Sequence, residues 1–257
     1  MNNYVRPKKS LGQHFLKDKN IAERIVQSLI TTGNVLEVGP GTGVLTEFLL
    51  QNSKLDLYAV EVDKESIVHL QQKYPQLTSH LINADFLEMD LKKLFNGSSF
   101  SIIGNFPYNI SSQIFFKVIN YRDNIPEVVG MVQKEVAERM AASHGNKTYG
   151  ILSVLLQRWY NIEYLFTVHE NVFVPPPKVK SAVVRLTRNQ TQNMNCNEDL
   201  FVKVVKTTFN QRRKTIRNSL KPLLKDISFE HEYMSMRPEQ LSIDQFAELT
   251  NCVEQIM

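Results

Sequence analysis

Val35-Leu36-Glu37-Val38-Gly39-Pro40-Gly41-Thr42-Gly43 reads as a buried strand that runs into a glycine-rich turn and then into a helix. Glycines at such a turn let the backbone bend tightly and approach a ligand closely, because a Cβ would collide with it. The spacing Gly-x-Gly-x-Gly differs from the Gly-x-Gly-x-x-Gly that usually cradles a dinucleotide pyrophosphate. The turn by itself leaves the ligand open.

Outward from this turn, short β-rich runs alternate with helical patterns. Strands are predicted at Val35–Val38, Leu57–Glu61, His80–Ile82, Ser101–Gly104 and Val128–Val132. Helices are predicted between them at Gly43–Gln51, Lys64–Lys73, Leu91–Phe95 and Ser111–Asn120. Strand, helix and strand repeated in this way imply a parallel sheet covered on both faces, an α/β fold. Tyr160–Val168 and Ala182–Thr187 follow as two more strands, separated by Pro175-Pro176-Pro177 rather than by a helix, and are expected to close one edge as an antiparallel pair. Arg188–Asp199 (RNQTQNMNCNED) is nearly devoid of apolar residues and reads as a linker, after which the pattern is helical to the end. The expected division is therefore 1–187, a linker at 188–199, and a small all-helical domain at 200–257.

A chain of 257 residues with 42% apolar content can bury one large core with enough left for a small appended module. No stretch approaches the ~18–20 apolar residues of a membrane helix, and Met1–Ser10 is polar and basic, so a cytoplasmic chain without membrane contact is expected. Cys196 and Cys252 lie far apart with neither a CxxC partner nor a His cluster, so no metal site and no disulfide framework are expected.

Two acids fall at the rim of the predicted sheet. Glu61 ends the second strand in Ala59-Val60-Glu61-Val62-Asp63, where a carboxylate can accept from both ribose hydroxyls of a nucleoside. The third strand runs into Ala84-Asp85-Phe86; Asp85 can accept from an adenine amine while Phe86 covers the ring.

After the fourth strand comes Ile102-Ile103-Gly104-Asn105-Phe106-Pro107-Tyr108-Asn109. An adenine amine is a poor nucleophile because its lone pair is delocalised into the ring, and acceptors must draw that lone pair toward a methyl donor. Asn105 offers a side-chain carbonyl, and the Phe106-Pro107 turn, stiffened by a proline with fixed φ and no N–H, offers a backbone carbonyl. Tyr108 offers a ring for a base to stack on, worth on the order of 1–3 kcal/mol. Methyl transfer from a sulfonium is a direct displacement, so positioning and local electrostatics suffice and no strong base is required.

At these residues the chain resembles the ribosomal RNA adenine N6-dimethyltransferase family, and within it the bacterial small-subunit branch. The resemblance spans Lys9–Leu16 (KSLGQHFL), Glu37–Gly43, Glu61, Ala84-Asp85, Asn105–Tyr108, Gln133–Val136 (QKEV), Val172–Pro176 (VFVPP) and Gln211–Lys214 (QRRK). It implies a Rossmann-like class I methyltransferase with a seven-stranded, mostly parallel sheet followed by a small helical domain. It implies S-adenosyl-L-methionine as cofactor, with contacts at His14, Leu16, Gly39, Gly41, Glu61, Asp85, Phe86 and Asn105. Asn105, Phe106, Pro107 and Tyr108 would grip the target base, and Phe173 would help to wall its pocket. The implied reaction is dimethylation of two adjacent adenosines near the 3′ end of 16S rRNA in the assembling small subunit, by a monomer. Phe106 stands where many relatives carry Leu, and His14 where many carry Asn.

Between Lys203 and Lys225 there is no Asp or Glu. On a continuous helix Lys203, Lys206, Asn210, Arg213, Arg217 and Lys221 would form one stripe, with Phe201, Val205 and Phe209 on another face. The net charge of +4 is modest, but a run without compensating acids fits contact with RNA phosphates, with Lys203, Lys206, Arg213, Arg217 and Lys221 as the binding set. Pro222 is expected to end or kink that helix.

An Erm-like enzyme acting on 23S rRNA shares the same core residues, and a non-catalytic RNA-binding factor would keep the fold. Gln211–Lys214 and the following Thr215–Leu220 resemble the small-subunit branch, while intact Glu61, Asp85 and Asn105–Tyr108 argue for retained activity. A DNA adenine methylase usually carries Pro-Pro-Tyr in place of Phe-Pro-Tyr.

Overall fold

A computed structural model describes residues 5–190, 195–225, 227 and 229–257. Strand β1 (Phe15–Leu16) leads to α1 (Lys19–Gln27), β2 (Gly33–Val38), α2 (Val44–Leu49), β3 (Leu55–Glu61), α3 (Lys64–Lys73), β4 (Leu81–Asn83) and α4 (Leu91–Leu94). Then come β5 (Ser101–Asn105), α5 (Ser111–Asn120), β6 (Glu127–Gln133), α6 (Lys134–Ala141), α7 (Ile151–Trp159), β7 (Tyr160–Val168), β8 (Phe173–Val174) and β9 (Ser181–Arg188). Helices α8 (Glu198–Asn210), α9 (Ile216–Ser219), α10 (Lys221–Leu224) and α11 (Ile243–Ile256) complete the chain.

Seven strands form one sheet in the order β4-β3-β2-β5-β6-β9-β7, and β1 and β8 form a separate two-stranded ladder. From β4 to β6 every pairing is parallel, and β9 runs antiparallel to β6. The sheet is thus mostly parallel and Rossmann-like, and the two late strands close one edge. Central strands are apolar because helices cover both faces: Val35, Leu36, Ile102, Ile103, Val128 and Val129 are all fully buried. Chain order reverses between β2 and β5, so a crevice opens beyond the carboxyl ends of these strands, where open α/β sheets bind ligands.

Carboxylates punctuate the helix starts. Asp18 accepts from the backbone N–H groups of Asn20 and Ile21 ahead of α1, Asp63 from that of Glu65 ahead of α3, and Asp90 from that of Lys92 ahead of α4. The third strand begins one residue later than the sequence predicts. His80 belongs to the preceding turn, where its ring stacks on Tyr58 with centroids 4.1 Å apart.

The chain divides into two compact units. One comprises the residues up to Ala137 together with Ile162–Arg188; the other comprises Glu138–Asn161 and the described part of 189–257. The boundary expected at 187 therefore leaves out a segment that folds with the C-terminal helices. Within that unit Trp159 of α7 meets Phe201 of α8 edge-on at 6.5 Å, and Tyr149 meets Phe209 at 6.1 Å. Residues 191–194 of the expected linker and 1–4 of the basic N-terminus lie outside the described residues.

The C-terminal segment corrects the single stripe. Helix α8 ends at Asn210, the chain turns through 211–214, and Thr215, in extended conformation, caps a new short helix. Pro222 sits in the first turn of α10, where its missing N–H costs nothing. Phe201, Val205 and Phe209, expected on a face apart from the basic residues, are buried. Among the described residues no helix is long and apolar enough to cross a membrane.

Candidate active site

The crevice at the switch point is lined by strand ends and the turns that follow them. The ends of β2 and β3 contribute Gly39, Gly41 and Glu61, the turn after β4 contributes Asp85 and Phe86, and the end of β5 contributes Asn105–Tyr108. His14 completes the predicted residues found there. Leu16 and Phe173 are not on its wall. They face each other across the β1–β8 ladder and are buried in the apolar core, at 4% and 1% exposure. Because successive strand residues point to opposite faces, it is Phe15 that reaches the crevice.

Gly41 has φ +56, and a Cβ there would lie 2.8 Å from the Phe15 ring, so the turn admits only glycine. This compact turn brings the Gly41 N–H to 3.0 Å from Oε2 of Glu61. Oε1 of Glu61 accepts from the backbone N–H groups of Val62 and Asp63, each at 2.9 Å. Burial pushes this carboxyl above its ordinary value, against the pull of the three amides. Behind it Glu37 is fully buried and accepts from the Thr46 hydroxyl at 2.6 Å; desolvation raises its pKa to about 8.

Asn105 is oriented from a distant part of the chain. Its Nδ2 donates to the backbone carbonyl of His14 at 2.9 Å, and since a carbonyl can only accept, the NH₂ must face that way. Oδ1 is thereby turned away as an acceptor, with no hydrogen bond to any described residue. Phe106 is buried at 1%, its N–H donating to the Met131 carbonyl at 3.0 Å. A Cβ on Gly130 would lie 2.4 Å from the Phe106 ring, so a glycine of β6 makes room for the larger residue at this position. Its side chain is spent on packing, which leaves the backbone for the crevice.

The Tyr108 hydroxyl lies 2.6 Å from Ser181 Oγ, and its ring stacks on His14 with centroids 5.4 Å apart at 26°. Burial raises the Tyr108 pKa, so the phenol stays neutral. His14 Nδ1 lies 2.8 Å from the Pro175 carbonyl, which assigns the ring proton to Nδ1. The N-terminal segment is pinned at the rim: Lys8 pairs with Asp63 at 2.5 Å and Glu65 at 3.0 Å, and Gln13 donates to Asp63 at 3.3 Å.

Sequence reasoning missed Val62, Leu87 and Asn109 on the wall. The one mark Val62 carries in the sequence is its place immediately after the rim carboxylate; the fold leaves this large apolar residue 49% exposed.

A sheet of this order, with a glycine turn after β2, an acid ending β3 and Asn-Phe-Pro-Tyr ending β5, defines a Rossmann-like class I methyltransferase. The family model described as ribosomal RNA adenine dimethylase matches residues 5–255. The chain belongs to the ribosomal RNA adenine dimethylase family. It is 58% identical to the ribosomal RNA small subunit methyltransferase A of Bacteroides thetaiotaomicron, over 98% of this chain and 96% of the relative. With the protein of the same name from Parabacteroides distasonis it shares 61% identity over 96% of this chain and 93% of the relative. Among solved structures it is similar in fold to a dimethyladenosine transferase from Plasmodium falciparum (TM-score 0.77, 23% identity, covering 95% of this chain and 98% of that one). It is likewise similar in fold to the 23S rRNA methyltransferase ErmE (TM-score 0.67, 24% identity, covering 92% and 99%).

Proposed function

We propose that the protein uses S-adenosyl-L-methionine to dimethylate N6 of two adjacent adenosines near the 3′ end of 16S rRNA in the small ribosomal subunit. The observation that carries this reading is the orientation of Asn105, whose Nδ2 is fixed on His14 so that Oδ1 is left to accept from a planar amine.

The crevice residues fit the cofactor. Glu61, held rigid by three amides, retains a lone-pair direction for a ribose hydroxyl, Asp85 offers an acceptor for an adenine amine, and Phe86 and Val62 supply apolar cover. When bound, the cofactor supplies an electrophilic methyl group on a sulfonium. Asn105 Oδ1 and the Phe106 carbonyl hold the two hydrogens of the target amine and turn its lone pair toward that methyl, Tyr108 stacks under the base, and Pro107 keeps the turn stiff. A preorganised pair of acceptors facing the charge that grows on nitrogen is worth far more in a crevice than in water. The nitrogen–methyl bond would form as the methyl–sulfur bond breaks, and the surplus proton on nitrogen, made acidic by methylation, would pass to water.

In the C-terminal unit Lys203, Lys206, Arg213, Arg217 and Lys221 are all exposed. We assign them to RNA phosphates as a set spread over α8, the turn after it, α9 and α10. Arg217 is already paired with Glu230 at 2.6 Å, so Arg213 is the cleaner probe. The reading is tested by incubating the protein with labelled S-adenosylmethionine and unmethylated small or large subunits. Label confined to small-subunit RNA is expected; label confined to large-subunit RNA would favour the Erm-like reading.

A further inference from the structure

Lys117 of α5 is a charged side chain that the chemistry above leaves unused. Its Nζ donates to the backbone carbonyls of Leu87 at 2.8 Å and Met89 at 2.5 Å. It also lies 5.5 Å from the centroid of the Phe86 ring and 5.6 Å from that of Tyr121. Among the described residues it makes no ion pair. Burial lowers its pKa, while the nearby carboxylates of Glu88, Asp85 and Asp90 oppose that shift.

A lysine on a helix surface ordinarily keeps its ammonium in water. Here the ammonium is half-withdrawn from water and held by two carbonyl dipoles and two ring faces, which is costly unless it fixes something. What it touches is the turn that carries Asp85 and Phe86. Inside that turn Asp85 Oδ1 accepts from the Leu87 N–H at 2.8 Å, and the Glu88 N–H donates to the Asp85 carbonyl at 3.1 Å. Leu87 is therefore bound at both ends, its N–H to Asp85 and its C=O to Lys117. A shift of Leu87 moves the Asp85 carboxylate with it.

We propose that Lys117 is a specificity-determining positioning residue, which fixes the Asp85–Met89 turn so that Asp85 and Phe86 select an adenine ring with an exocyclic amine. The inference rests on the reading of this crevice as the cofactor site. It links the two motifs physically: α5, which follows directly on Asn105–Tyr108, reaches across to hold the turn after β4.

Calorimetric titration of the full chain with S-adenosylhomocysteine and with S-inosylhomocysteine, which carries an oxygen in place of the amine, tests it. The unsubstituted protein is expected to favour the adenosyl compound by at least about tenfold. In Lys117→Met the adenosyl Kd rises about tenfold and the preference for the amine shrinks to about threefold or less, with Lys117→Arg intermediate. The loss in turnover falls on KM for S-adenosylmethionine more than on kcat. An unchanged preference in Lys117→Met, or an equal weakening toward both compounds, overturns the inference and leaves Lys117 a structural residue. Should Lys117→Met not fold, Lys117→Arg decides, and an unchanged preference there overturns it. Failure of the unsubstituted protein to bind either compound overturns the cofactor reading itself, a result distinct from the others.

Discussion

On one side of the crevice Glu61 takes its three hydrogen bonds from Gly41, Val62 and Asp63, all supplied by the turns that end β2 and β3. On the other side Asn105 is oriented by His14 and Tyr108 meets Ser181, partners separated from them by 91 and 73 residues. On this donor side the Glu61 carboxylate is thus held locally, by the turns of two adjacent parallel strands. The acceptor side is assembled from the N-terminal segment, the end of β5 and the start of β9. Changes on the donor side should therefore act on cofactor affinity. Changes on the acceptor side should act on turnover.

The largest effect expected is at Asn105. Asn105→Ala removes the acceptor that Nδ2 and His14 hold in place, and turnover should fall by about 10²–10³-fold with cofactor binding still detectable. Stopped-time methylation assays beside calorimetry separate the two quantities, and a parallel loss of both would break the division between the sides.

Glu37 probes the rigidity of the donor side through pH. Its folded-state pKa of about 8 lies above the ordinary 4.5, so the folded protein holds this proton more tightly than the unfolded chain does. Stability linked to this group is complete below about pH 4.5 and is lost as pH rises toward about 8. Relative to Glu37→Gln, the unsubstituted protein should lose on the order of 5 kcal/mol across that window. Urea unfolding at several pH values measures this, and curves that stay parallel would place Glu37 in a wetter setting than the structure gives it.

Glu61→Gln puts an NH₂ group where one or two backbone donors converge. Cofactor Kd should rise about tenfold while kcat at saturating cofactor changes less. A larger effect on kcat than on affinity would blur the comparison. Tyr108→Phe is expected to be mildest: it keeps the ring and loses only the contact with Ser181, so turnover should fall by about threefold. A drop beyond about thirtyfold would give the hydroxyl a chemical role that stacking does not require.

The same contrast explains what the sequence made legible. Lys64–Lys73, Ser111–Asn120 and Tyr160–Val168 match their predicted bounds because periodicity and caps are local properties. The rim residues Gly39, Gly41, Glu61, Asp85 and Asn105–Tyr108 come together because each ends or follows a strand of one sheet. Leu16 and Phe173 did not, since which face of a two-residue ladder turns inward is decided by pairing across more than 150 positions. The segment 138–161 could not be assigned to the C-terminal unit from periodicity, because the contact of Trp159 with Phe201 is long-range. Nor could the basic run reveal that α8 stops at Asn210, since Gln211–Thr215 contains neither Gly nor Pro. Nothing in the sequence sets Lys117 apart from other helix lysines, and only the folded turn after β4 gives it partners.

The most direct test of the account is a single-turnover reaction of the protein, preloaded with labelled S-adenosylmethionine, against unmethylated small subunits, followed by nucleoside analysis of the RNA. The geometry of Asn105–Tyr108 predicts label on N6 of adenosine, first as the monomethyl and on further cofactor as the dimethyl form. Label on a ribose hydroxyl, a ring carbon or another base would contradict it.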